Sequence, residues 1–250
     1  MTIWAIADLH LSFGVPNKKM DIFGPRWVNH PEKVKQHWLE KVTADDLVLI
    51  AGDISWAKRP QDAIPDLNWI HELPGTKVMI RGNHDYWWES LKKLNEITPP
   101  SIHVIQNNAF DWNDVSVAGC RMWDTSEYNF DEKVEYYEVP KGLVTRPFVE
   151  TDWQEAEKIF ERELLRLEMS LKCLNPKARL RVVMTHYPPI GPDLKPSRIS
   201  KLLAQYKVDY CIFGHLHSVK ENSLPFGTAD GVKYIFTACD YLDCNPVKVE

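Results

Sequence analysis

Metal-binding side chains gather in five short segments of this chain: Asp8-Leu9-His10, Gly52-Asp53, Gly82-Asn83-His84-Asp85, His186, and Gly214-His215-Leu216-His217. Residues two apart in extended chain point to the same side, so one cation can meet Asp8 and His10, and one can meet His215 and His217. Gly214 before the first of these histidines is expected to let the backbone turn tightly. The carboxylate of Asp53 is able to bridge two cations, and Asn83 offers a neutral carbonyl oxygen. His84 then need not be a ligand. Asp85 is placed to hold its ring by accepting a hydrogen bond, which favours imidazolium. Asp8, His10, Asp53, Asn83, His186, His215 and His217 make seven donors, one of them shared. That is too many for one open catalytic metal and right for two. The donors are nitrogen and oxygen without thiolate, which suits Mn²⁺, Fe or Zn²⁺ over copper(I) or an iron–sulfur cluster, while the imidazoles argue against Ca²⁺ or Mg²⁺ alone. Taken singly, each segment reads as an ordinary turn or a buried histidine. Five together, in a chain with nine histidines, read as a site.

Each segment follows a run of apolar, β-favouring residues: Ile3 to Ala7, Leu47 to Ala51, Lys77 to Arg81, Val182 to Thr185, and Tyr210 to Phe213. Buried strands read as such runs, and α/β proteins carry their chemistry on loops at strand ends. The first third alternates strand and helix, with helices expected over Pro31 to Val42, Pro60 to His71 and Tyr86 to Ile97, and parallel pairing follows. From Ile102 the texture changes. His103 to Gln106, Ala109 to Trp112 and Val115 to Gly119 read as short strands, with Asn113-Asp114 a turn, giving an antiparallel hairpin on a second sheet that Gly231 to Thr237 can join. Trp123 to Arg146 is irregular and rich in charges and aromatics, including Tyr136 and Tyr137. Asp152 is expected to cap a long helix whose apolar stripe runs Trp153, Ala156, Phe160, Leu164, Leu167, Leu171 and Leu174. Residues 1–250 read as one domain with a helical and irregular insertion at about 123–176, since the ligand segments span nearly the whole chain.

A hydrophobic fraction of 44% supports a sizeable core, and a net charge of −5 with interspersed signs gives no footprint for a nucleic acid partner. The five cysteines show no Cys-x-x-Cys pair, which fits a reducing compartment. No signal peptide and no apolar run near ~18 residues is present, so a cytoplasmic protein without a membrane partner is expected. The oligomeric state is left open.

The order Asp-x-His, Gly-Asp, Gly-Asn-His-Asp, lone His, Gly-His-x-His resembles the calcineurin-like metallophosphoesterase superfamily over residues 3 to 217. The resemblance implies an α/β fold, a four-layer α/β/β/α sandwich of two mixed sheets flanked by helices. It implies two divalent metals, Mn²⁺ foremost, one held by Asp8, His10 and His217 and the other by Asn83, His186 and His215, with Asp53 bridging. It implies a phosphohydrolase that cleaves a phosphodiester or phosphomonoester of a small phosphorylated substrate by in-line attack of a metal-bridging hydroxide. His84 would contact the scissile phosphate and protonate the leaving group, with Asp85 in support and Arg81 and Asn83 as substrate-binding partners. Arg81 matches the superfamily's protein phosphatases, but Gly52-Asp53-Ile54-Ser55 lacks the Asp-Arg-Gly they add. Gly119 to Trp123 and Thr237 to Tyr241 look most like small bacterial phosphohydrolases. The alternatives are a nucleotide-sugar or lipid-precursor pyrophosphatase of the same superfamily and a catalytically silent scaffold. Silent members typically lose ligands, which are all present here.

Overall fold

Alternating apolar residues give the strands two buried faces, and in a computed structural model of the chain those faces divide the core into three layers. The structure describes residues 1–135, 150–221, 223 and 226–250. The elements run β1 (Ile3–Ile6), α1 (His30–Lys41), β2 (Leu47–Ile50), α2 (Pro60–Glu72), β3 (Thr76–Met79), α3 (Leu91–Ile97), β4 (Ile102–Val104), β5 (Ala109–Trp112), β6 (Val115–Cys120), α4 (Glu150–Lys172), β7 (Leu180–Thr185), α5 (Arg198–Gln205), β8 (Tyr210–Phe213), β9 (Thr228–Ala229), β10 (Val232–Phe236) and β11 (Val247–Lys248). One sheet has the order β11-β1-β2-β3-β4 and the other β5-β6-β7-β8-β10-β9. β1 to β4 pair in parallel, as do β6, β7, β8 and β10, while β11, β5 and β9 lie antiparallel at edges.

Side chains alternate across each strand. Ile6, Val48, Ile50 and Met79 pack against Val34 and Trp38 of α1, Leu67 and Ile70 of α2, and Leu94 of α3. Their neighbours Ala5, Leu47, Leu49 and Val78 face Val117, Val182, Met184 and Ile212 of the second sheet. The outer face of that sheet, with Ala118, Val183, Cys211 and Phe213, is covered by Phe160, Leu167 and Leu171 of α4 and Ile199 and Leu203 of α5. Helices, sheet, sheet, helices: the four-layer architecture follows from these contacts. Among the described residues no helix is long and apolar enough to cross a membrane.

Several sequence expectations need correction. β4 joins the first sheet beside β3 rather than the hairpin's sheet. The third helix begins only at Leu91, because residues 86–90 are held in turns and by their indoles. Trp87 Nε1 donates to Asp85 at 3.0 Å and Trp88 Nε1 to Gln106 at 2.6 Å. Asp152 lies inside α4, which starts at Glu150. Tyr136, Tyr137 and the rest of 136–149 lie outside the described residues. The sequence pattern gave no sign of α5, whose start is fixed by a reciprocal cap. Ser197 Oγ accepts from Ser200 N at 2.9 Å, and Ser200 Oγ from Ser197 N at 2.8 Å.

One buried carboxyl ties the first ligand loop to α2. Asp66 accepts from Phe13 N at 2.7 Å and from the Ser55 hydroxyl. Burial pushes this carboxyl up to about 6 from its ordinary 3.8. The folded state therefore holds the proton more tightly than the unfolded chain, so this group's contribution to stability falls as pH rises from about 4 through 6. Asp66→Asn removes that dependence. Denaturant melts should show the variant gaining on the parent by on the order of 2–3 kcal/mol between pH 4 and pH 7. A difference that stays constant with pH would contradict this assignment.

Candidate metal centre

The five segments leave the C-terminal ends of β1, β2, β3, β7 and β8, and backbone hydrogen bonds draw them together. Asp8 N donates to Gly52 O at 3.0 Å and His10 N to Asp53 O at 2.9 Å. Gly214 N donates to His186 O at 3.1 Å, and Ala7 N reaches across to Thr237 O at 2.8 Å, joining the two sheets. His215 N points at both carboxylate oxygens of Asp8, at 3.1 and 3.2 Å. Four site residues occupy left-handed backbone: Asp8 (φ 59°), His10 (43°), Asp53 (51°) and His215 (74°). Such conformations cost energy outside glycine and cluster where function holds them. Close packing also explains two glycines. A Cβ on Gly82 would lie 2.1 Å from Asp53 Oδ1, and one on Gly214 would lie 2.3 Å from Asp8 Oδ2. Gly214 is thus required by the proximity of Asp8, and in the tight turn expected there the left-handed residue is His215.

Asp8, His10, Asp53 and His217 each present a ligand atom within 4.8 Å of the others, an arrangement able to hold a metal ion. His10 Nε2 and His217 Nε2 face each other at 3.2 Å. On the other flank, Asn83 Oδ1 lies 2.7 Å from His186 Nε2 and 3.0 Å from His215 Nδ1. Asp53 stands between the two groups. Its Oδ1 accepts from His84 N at 2.8 Å, while Oδ2 lies 3.6 Å from His10 Nε2 and 3.5 Å from His186 Nε2. That Oδ2 is buried and has no hydrogen-bond partner. An unpartnered buried carboxylate oxygen flanked by imidazole nitrogens fits divalent cations well, and the nitrogen–oxygen donor set suits borderline metals.

The charges around the site are strongly perturbed. Burial pushes the Asp8 carboxyl up to about 7 against the pull of His217 and His186. Burial also pushes the His10 and His215 imidazoles well below their usual range. It opposes the charge on His186 and His217 too, but there the carboxylates win. Asp53 and Asp8 lift His186 to about 9, and Asp240 with Asp8 lifts His217 to about 9. Burial would raise Asp53, yet His186, His10 and His84 hold it well below the usual carboxylate range.

The expected Asp85–His84 pairing is absent. The Asp85 carboxylate takes N–H donors from Ile54, Ser55, Gly82 and the Trp87 indole at 2.7 to 3.1 Å. It clamps the Gly52 and Gly82 segments to each other, and His84 Nδ1 is buried without a partner. Burial lowers the His84 pKa. The His84 ring packs instead against Trp56 at 4.7 Å and Tyr86 at 6.3 Å between centroids.

Several residues of the site were missed. Asp240 Oδ1 meets His217 Nδ1 at 3.0 Å and Oδ2 accepts from Ser218 N at 2.9 Å, fixing the ring. His186 is oriented by its Nδ1 on Ala51 O at 3.0 Å. Trp56 stacks on His10 at 5.1 Å, and Trp27 packs edge-on to His10 and His217 at 5.6 and 5.3 Å. Trp27 therefore borders the site. Of Tyr86, Trp87 and Trp88, the two tryptophans are core and Tyr86 is exposed. The remaining histidines lie elsewhere: His30 meets Leu9 O and Trp27 O, His37 meets Cys244 O, His71 meets Ser101 Oγ, and His103 stacks on Phe110.

The calcineurin-like phosphoesterase family model matches residues 1–219, and the chain belongs to that family. The Gene 66 protein of Mycobacterium phage D29 is 34% identical over 83 residues, which are 33% of this chain and 40% of that relative. The chain thus matches about two-fifths of that relative's length. Among solved structures, the protein TT1561 of Thermus thermophilus is similar in fold, with a TM-score of 0.50, 12% identity and coverage of 98% of this chain and 96% of that one. A phosphopantetheinyl hydrolase from Mycobacterium tuberculosis aligns with a TM-score of 0.47 and 16% identity over 95% and 88% of the two chains.

Because Asp240 orients His217, Asp240→Asn is expected to weaken metal binding by about 10–100-fold while the fold survives. Calorimetric titration of chelator-treated protein with Mn²⁺ checks this, and unchanged affinity would contradict it.

Proposed function

We propose that residues 1–250 form one domain that hydrolyses a phosphoester, diester or monoester, of a small phosphorylated substrate at a two-metal site. The observation that carries this reading is the Asp53 carboxylate. Its unpartnered Oδ2 lies between His10 and His186, one from each group of potential ligands. Asp8, His10 and His217 would hold one divalent cation, Asn83, His186 and His215 the other, and Asp53 both. Mn²⁺ leads, with Fe or Zn²⁺ as alternatives. When bound, such cations supply an activated water and neutralise charge on the phosphoryl oxygens.

The protein's own groups do the rest. Asp85 locks the Gly82 segment against the Gly52 segment, so Asn83 and His84 are presented from fixed backbone. It acts as a positioning residue. His84 is assigned the proton that the leaving oxygen takes. Its ring stands beside His10, at 5.6 Å between centroids, yet its backbone N–H anchors Asp53, which supports a role next to the ligands rather than among them. Arg81 and Asn83 flank the place where a phosphoryl group would bind. Trp27 and Trp56 wall the His10 side against water, which strengthens electrostatics within the site.

His84→Ala should lower kcat by about 10²–10⁴-fold while elemental analysis still finds two metals per chain. Loss of metal from the variant would show His84 to be a ligand. Chelation should abolish hydrolysis of p-nitrophenyl phosphate and bis-(p-nitrophenyl) phosphate, and Mn²⁺ should restore it. Activity indifferent to the chelator, or none on either ester with metal supplied, would overturn the proposal. The ratio of the two rates separates monoesterase from diesterase.

A further inference from the structure

Three arginines converge on one buried carboxylate beside the metal centre. Glu163 of α4 is 3% exposed, and its Oε1 lies 3.3 Å from Arg121 Nη2, 2.7 Å from Arg166 Nη1 and 3.5 Å from Arg162 Nε. Arg81 lies close enough to feel the charges of Arg121, Glu163, Arg166 and Asp85. The Nε atoms of both Arg81 and Arg121 are buried without hydrogen-bond partners. In a chain of net charge −5, the described residues here set three arginines on one carboxylate. Buried unpartnered guanidinium N–H groups are costly unless something accepts from them.

The cluster abuts the Asn83–His186–His215 half of the site. Arg81 is two residues before Asn83, and the Arg121 carbonyl accepts from His186 N at 3.1 Å and Tyr187 N at 3.0 Å. β3 and β6 bring the two arginines together across the sandwich. They approach so closely that a Cβ on Gly119 would lie 2.9 Å from Ile80 Cγ2. The Arg121 guanidinium sits 4.5 Å over the Trp123 ring. Trp123 packs on Tyr187 at 5.1 Å, and Tyr187 on His215 at 3.9 Å.

We propose that Arg121 and Arg166, on the side of Arg81 away from the cleaved group, form a second anion subsite, which binds a phosphate of the substrate other than the one being cleaved. Guanidinium forks match phosphate oxygens in paired, charge-assisted hydrogen bonds, and Arg is suited to this at desolvated positions. The substrate class is then a compound with two phosphate groups. This rests on the hydrolase reading above and narrows it.

The test uses the metal-loaded full chain and two substrate pairs: fructose 1,6-bisphosphate against fructose 6-phosphate, and adenosine 3′,5′-bisphosphate against adenosine 5′-monophosphate. At least one bisphosphate should exceed its partner in kcat/KM by about tenfold or more, with the difference in KM. Arg121→Met should bring that ratio close to one, and Arg166→Met should lower it less. Glu163→Gln separates binding from mere structural pairing. Removing the carboxylate leaves more positive charge for the phosphate, so the ratio should hold or rise, whereas a structural role for the pair predicts that it falls as in Arg121→Met. No preference in either pair, a preference that survives Arg121→Met, or a Glu163→Gln ratio that collapses would overturn the proposal. If the enzyme hydrolyses no phosphoester at all, the functional reading fails, and the subsite is then judged by calorimetry with inorganic pyrophosphate on chelator-treated protein. Affinity about tenfold weaker in Arg121→Met, with the melting temperature retained, supports it; equal affinity, or no binding, overturns it.

Discussion

Two imidazole nitrogens, Nε2 of His10 and Nε2 of His217, face each other 3.2 Å apart in a pocket lined by Trp27 and Trp56. One proton can satisfy that pair only if one ring donates and the other accepts, whereas a cation satisfies both through their lone pairs. The same constraint recurs on the other flank, where two histidine nitrogens converge on Asn83 Oδ1, and between the flanks, where Asp53 Oδ2 has no donor. Burying this many polar groups is tolerable only when each finds a partner. The rest of the molecule is the means by which they are held in one place.

That means is two parallel sheets whose strand ends open on the same side. Asp8, Asp53 and Asn83 come from the first sheet, and His186, His215 and His217 from the second, so neither sheet alone carries a complete group. The apolar layer between the sheets fixes their separation. The strand-to-strand hydrogen bond from Ala7 to Thr237 fixes their alignment at the level of the site. Left-handed backbone at Asp8, His10, Asp53 and His215 shows where the scaffold bears strain at the candidate site. Asp85, Asp240 and the Ala51 carbonyl complete the frame by fixing loop and ring orientations rather than by touching the reacting groups.

How much of this was legible in the sequence depends on range. The placement of the five segments at strand ends could be read because each follows a continuous apolar run, and the hairpin because Asn113-Asp114 interrupts two alternating ones. The register Trp112 to Val115 confirms that turn. Local pattern failed where tertiary contacts decide. Residues 86–90 have helical spacing, yet their indoles are committed to Asp85 and Gln106. Asp85 looked like a partner for its sequence neighbour His84, but a buried carboxylate takes the donors that the fold brings, and here they come from the Gly52 loop. Asp240 lies 23 residues beyond His217, and nothing local marks it as that ring's partner. The arginine cluster was invisible for the same reason, since β3, β6 and α4 meet only in the folded chain.

The proposed hydrolysis turns on Asp53 joining two cation sites. A crystal structure grown with Mn²⁺, with its anomalous difference map at the manganese edge, reads this out directly. Two peaks should flank Asp53, one within coordination distance of Asp8, His10 and His217 and the other of Asn83, His186 and His215. A single peak, or two peaks with Asp53 touching at most one, would contradict it.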